Sequence, residues 1–148
     1  MTISLEAARA LIAVAQAEAT KINKPMTVAV VDTSGFIVAV DRMDGARPLT
    51  PSIATAKAYT AGVMQRPSKM LKQWAETQPA FFNQVATMGH QPIVATDGGV
   101  PIKKDDVLLG GIGVSGGTGE EDQQVCEAAL TAMGYQLVFA EWNKIRRN

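Results

Sequence analysis

The sequence predicts an α+β fold, a small antiparallel sheet with helices packed on it. Three observations carry this expectation. Two apolar runs meet at a tight Asp32-Thr33-Ser34-Gly35 turn, the signature of a β-hairpin. Further short strands in the second half are joined by turns too short for the crossovers that parallel neighbours need. Segments with helical apolar periodicity precede, separate and follow these strands, so the helices must cover a sheet rather than one another.

In chain order, residues 4–22 read as a helix. Ser4 is its cap, and Leu5, Ala8, Leu11, Ile12, Val14, Ala15, Ala19 and Ile22 form its stripe. Asn23-Lys24-Pro25 stops it. Val28 to Val31 is continuously apolar, as in a strand covered on both faces, and Phe36 to Val40 returns beside it. Asp41 to Leu49 is a polar loop. Thr50-Pro51 opens a helix to about Met64, with Thr50 as cap and Pro at the first helical position. Pro67-Ser68 starts a short helix to about Thr77, and residues 78–92 read as irregular. A three-strand meander is expected next: Ile93–Ala95, then Val100–Ile102 as an edge strand or bulge because it holds Pro101, then Val107–Val114. Thr118 and Glu121 have capping-box spacing and open the last helix, whose buried face is Val125, Ala128, Ala129, Ala132 and Met133. Gly134 ends or kinks it, and the tail is basic at Lys144, Arg146 and Arg147. The 148 residues are read as one domain, 1–148, large enough to bury roughly two-thirds of the unfolded surface.

Composition narrows the function. Lys plus Arg is 14 and Asp plus Glu is 14, a balance without the basic footprint of a nucleic-acid or membrane-surface binder. One cysteine, Cys126, excludes an intramolecular disulfide and multi-Cys metal sites; one histidine, His90, excludes a multi-His site within one chain. No run approaches the ~20 apolar residues of a membrane span, and no secretory signal opens the chain. The expected location is cytoplasmic.

Three blocks resemble a known family. They are Asp41-Arg42-Met43-Asp44-Gly45-Ala46, then Ala54-Thr55-Ala56-Lys57-Ala58-Tyr59-Thr60-Ala61, then Gly98-Gly99-Val100-Pro101-Ile102 with GGIGVSGGTGEE over 110–121. Together they are similar to the GlcG/HbpS family of haem-binding proteins, related to the C-terminal domain of PduO-type proteins. The resemblance implies a profilin-like or Roadblock-like fold with a five-stranded antiparallel sheet flanked by helices. It also implies a homo-oligomer, dimer to octamer, a haem or related tetrapyrrole cofactor, and for some members a place beside catabolic operons.

Several residues are candidates for binding or chemistry. Gly116 and Gly117 precede a helix, where free amides and the positive helix end suit a carboxylate or phosphate; the alternative is a tight turn for close packing. The turn lacks the lysine of a P-loop and the fingerprint of a dinucleotide fold. Gly98 and Gly99 of the third block join this ligand-binding set. Lys57 sits in an otherwise apolar helical stripe with Ile53, Thr60, Ala61 and Met64. It either snorkels, pairs with a carboxylate, or serves acid–base chemistry. Arg42 suits a ligand carboxylate, or is held by Asp41 or Asp44. His90 lies in an irregular stretch near Met88 and is a candidate haem axial ligand, general base or plain solvated side chain. Cys126 reads as core. Phe81, Phe82 and Trp74 read as packing or a subunit contact.

Three functions follow. The first is a haem- or tetrapyrrole-binding protein, with Arg42, Lys57 and the glycine amides on the propionates and His90 on the iron. The second is an enzyme or accessory protein acting on a small carboxylate or aromatic acid in a catabolic pathway, with Lys57 or His90 moving a proton. The third is a structural oligomer without ligand.

Overall fold

The chain forms two helical layers with a sheet between them. The computed structural model describes residues 1–137; the basic tail residues Lys144, Arg146 and Arg147 fall outside this range. The elements are α1 (Leu5–Lys21), β1 (Thr27–Val31), β2 (Ile37–Arg42), α2 (Thr50–Met64), a 3-10 turn (Ser68–Leu71), α3 (Lys72–Thr77), α4 (Pro79–Val85), β3 (Gly99–Lys104), β4 (Val107–Ser115) and α5 (Gly119–Ala132). The sheet order is β2-β1-β4-β3, antiparallel throughout.

β1 is central and every residue of it is buried, as its unbroken apolar run requires. Val28 and Val30 point to the layer of α1 and α5, where Leu11, Ile12, Ile112, Val114 and Leu130 close the main core. Ala29 and Val31 point the other way, onto Ala54 and Ala58 of α2. Each fully buried Leu, Ile or Val contributes about 1.5–3 kcal/mol against exposure. α2 is in turn covered by the chain from the 3-10 turn through α4, with Leu71, Phe82 and Ile93 packed on Tyr59. It is therefore buried on nearly all sides, and Lys57 goes inside with it.

The glycines of β4 make this layering possible. A Cβ on Gly111 or Gly113 would collide with the carbonyl oxygens of Ala58 and Ala54. Backbone-to-backbone approach of α2 to β4 leaves no room for any other residue there.

Four expectations need correction. The sheet has four strands among the described residues, not five. Ile93–Ala95 joins no ladder: Ile93 N–H donates to Ala86 O and Val94 N–H to Thr60 Oγ1, so these amides tie down the α4 end and α2 instead. Residues 78–92 are not wholly irregular, because Pro79 starts the helix α4. Thr50 is not the cap of α2; Leu49 is, and the Thr50 hydroxyl bonds Arg47 O and Thr27 Oγ1, each at 2.7 Å. Ser4, the Thr118–Glu121 capping box and the edge position of Pro101 are as expected.

Candidate functional site

The candidate residues fall at the two ends of β1. At the end marked by Thr27, the register aligns Arg42 of β2 and Ser115 of β4. The Gly116–Thr118 turn and the Gly98–Gly99 entry to β3 lie there too. At the other end β1 reaches Val31, paired with Ile37 of β2 and Gly111 of β4. His90 is at that end. Five residues of strand put roughly 13 Å between the two ends.

Lys57 is central to the first group. It is 4% exposed, and Nζ donates to Val114 O and to Asp122 Oδ2, each at 2.9 Å. Asp122 is 3% exposed, and its other oxygen accepts the Gly117 amide at 2.9 Å. Burial pushes the Asp122 carboxyl up from its ordinary pKa, while Lys57 and the Gly117 amide pull it back. The ion pair runs from α2 on one face to α5 on the other, past the end of the sheet. Gly98, at φ +107, leaves the space: a Cβ there would stand 2.8 Å from Nζ. Of the readings open for Lys57, the structure places its amine on a carboxylate of its own chain.

The glycine amides are engaged in the same way. Gly98 N–H donates to Gln123 Oε1, Gly99 N–H to Ser68 Oγ, and Thr118 N–H to Glu121 Oε1, all at 2.9 Å. Gly116, at φ +147, is pressed against Pro25 and Met26. Cys126 is buried beneath, its Sγ–H toward Gly98 O at 3.2 Å, and burial pushes its thiol far up. A ligand carboxylate at the Gly117 or Thr118 amide would have to displace Asp122 or Glu121.

Arg42 stands apart from this cluster. It is exposed, two strands from Ser115 and so about 10 Å across β1. It lines an open groove of about 510 Å³ with Gln16, Ala17, Thr20, Met43 and Asp44. Neither Asp41 nor Asp44 pairs with it. None of Arg42, Lys57, His90 and Gly117 lines the cavity of about 380 Å³ over the first turn of α5, which is rimmed by Asp97, Glu120, Glu121, Glu127 and Lys69. That rim has the wrong sign for a carboxylate.

His90 is held by aromatic rings. It stacks on Phe36 with centroids 4.3 Å apart and planes 7° from parallel, and meets Tyr59 edge-on at 4.8 Å. Its Nε2 lies 3.0 Å from Gly35 O. A carbonyl oxygen only accepts, so the hydrogen is on Nε2; in the neutral tautomer this leaves the lone pair on Nδ1. Beside it is a cavity of about 200 Å³ lined by Ala86, Thr87, Gly89, Gln91 and Pro92. Phe36 and Ile37 are 57% and 54% exposed, and Met88 projects into solvent two residues away.

Two residues that matter here escaped sequence reading. Asp122 lies on the buried stripe of α5 with Val125, Cys126 and Ala129, so a second charge in an apolar face was there to be matched with Lys57. Phe36 was assigned to a strand, and nothing in its spacing marks it as a partner for His90.

Residues 3–131 match the family described as "Haem degrading protein HbpS-like". The chain belongs to the HbpS-like family. It is 33% identical over 129 residues to a 15.0 kDa protein encoded in the dhaT–dhaS intergenic region of Citrobacter freundii, covering 87% of this chain and 90% of that one. It is 34% identical over 113 residues to protein GlcG of Escherichia coli, covering 76% and 81%. It spans 39% of the corrinoid adenosyltransferase PduO of Citrobacter freundii, at 28% identity. Among solved structures, the PduOC:haem complex superposes with TM-score 0.81 at 26% identity, over 92% of this chain and 98% of that one.

Proposed function

We propose that this HbpS-like chain binds haem, or a closely related tetrapyrrole, on the face around His90. The observation that carries the reading is the state of that histidine. Its tautomer is set by Gly35 O, which leaves Nδ1 for iron, and iron ligation lies in the ring plane where Phe36 stacking does not interfere. Phe36, Ile37 and Met88 offer exposed apolar surface for a flat ring. The solved complex of a structural relative with haem supports the same ligand class.

The site fits the group as a platform, not as an enclosure. A cavity of about 200 Å³ is below the ~300–1,000 Å³ that engulfs a drug-sized ligand. A cavity of that size would leave much of a tetrapyrrole uncovered, and a second copy in a homo-oligomer would supply the missing cover. Arg42 and the glycine turn are the length of β1 away, so a ring seated on His90 reaches them only on a neighbouring copy. When bound, haem would supply iron redox chemistry; His90 supplies the ligand, and the Gly35 carbonyl orients it.

Titration of the purified protein with hemin tests the reading. Wild type is expected to shift the Soret band with saturation, and His90→Ala to abolish the shift while melting normally. A His90→Ala variant that keeps the shift refutes the assignment of His90; a wild type that leaves hemin unshifted refutes haem binding.

A further inference from the structure

Tyr59 is 6% exposed, with its ring packed among Leu71, Phe82 and Ile93. A buried tyrosine hydroxyl ordinarily finds a hydrogen-bond partner. This one has none among the described residues, and it still touches solvent, since no fully buried polar atom is left unpaired. Its oxygen lies against Gly89, a residue that lines the cavity beside His90. A Cβ on Gly89 would collide with the hydroxyl oxygen, and Gly89 has no positive φ that would itself demand glycine. The glycine at 89 thus makes room for the phenol oxygen.

Two polar atoms are unspent at this one place: the Nδ1 lone pair of His90 and the hydroxyl of Tyr59, with the two rings 4.8 Å apart. The other candidate donors, the amides of Gly98, Gly99 and Gly117, are already accepted by the chain's own side chains. We propose that Tyr59 is a ligand-contacting, specificity-determining residue whose hydroxyl donates a hydrogen bond to a carboxylate on the periphery of the ring seated against His90. This rests on the tetrapyrrole reading above. It assigns the acid group of the ligand to the His90 end of the sheet, where Arg42 and Lys57 do not reach.

The test compares wild type with Tyr59→Phe, which removes only an oxygen with no protein partner, so the melting temperature should not move. With hemin, Tyr59→Phe is expected to keep the wild-type Soret position, because His90 still ligates, and to raise Kd roughly tenfold or more, the loss for a hydrogen bond to a charged group. With iron octaethylporphyrin, which has no carboxylate, the two proteins should bind alike. Equal hemin affinities overturn the inference, as does a difference that persists with the octaethyl ring. A Tyr59→Phe protein that fails to fold also overturns it, by making the hydroxyl structural. Failure of wild type to bind hemin brings down the tetrapyrrole reading itself, and is recognised without any variant.

Discussion

Replacing Lys57 by methionine tests the ion pair that joins the two helical layers. The side chain is nearly isosteric, so the change removes charge and two hydrogen bonds with little loss of volume. It leaves Asp122 as an uncompensated carboxylate at 3% exposure, with Val114 O also unpaired. Breaking one partner of a buried pair costs about 3–5 kcal/mol. At about 2–4 °C per kcal/mol for a chain of this size, the melting temperature at neutral pH should fall by roughly 6–20 °C. The pH dependence gives the sign. Lys57 lowers the Asp122 pKa, so its removal lets burial raise the folded-state pKa further above the unfolded value. A raised acid contributes stability that is present below the unfolded pKa and lost as pH rises through the folded one. The gap between variant and wild type should therefore be widest at neutral pH and narrow on acidification, as Asp122 protonates. Adding Asp122→Asn, which removes the charge and keeps an oxygen for the Gly117 amide, should recover most of the loss. Differential scanning calorimetry from pH 7 to pH 4 reads all three proteins. A variant within 2 °C of wild type at pH 7, or a gap that widens in acid, refutes the reasoning.

Two further outcomes follow from the same end of the sheet. Thr118→Ala removes the side-chain half of the α5 capping box and should cost about 1 kcal/mol, a fall of roughly 2–4 °C in melting temperature; an unchanged melting curve would show the box to be idle. Cys126, buried with its thiol pushed far up, should ignore a thiol-specific disulfide reagent in the native protein and react at once in denaturant; rapid native labelling would contradict its burial.

The parts of the fold that were legible in the sequence are those set by local chemistry. Ser4, the Thr118–Glu121 box and the Asp32–Gly35 turn announce themselves by residue type and spacing, and each forms as spaced. The unbroken apolar run of β1 reveals a central strand because both faces must be covered. What misled was backbone whose partners lie far along the chain. Ile93–Ala95 has strand-like residues, yet its amides are claimed by Ala86 and Thr60, a choice no local pattern encodes. At the candidate site, Lys57 stood out as a charge in an apolar stripe, but its partner lay 65 residues away on a different helix. Asp122 shares the buried stripe of α5, but it is also one of three acids in the first turn, where helix-end electrostatics already favour acids, and this masked it.

The two ends of β1 differ in what they leave unspent, and this is what assigns them different work. At the Thr27 end, Lys57 pairs with Asp122, and Gln123, Ser68, Asp122 and Glu121 accept the amides of Gly98, Gly99, Gly117 and Thr118. A ligand taking those amides must replace bonds the protein already makes, and gains little net energy by doing so. At the Val31 end the balance is reversed. The Asp32–Gly35 turn spends one carbonyl on His90 Nε2 and so leaves the other ring nitrogen without a protein partner. Phe36 and Ile37 stay uncovered beside it, and the Tyr59 hydroxyl stays unpaired behind Gly89. Uncovered apolar area and unsatisfied polar atoms both gain on association, since neither has a bond to surrender except to water. Recognition is thus expected where the fold is least self-satisfied, and the hairpin end of the sheet meets that condition in both kinds of surface.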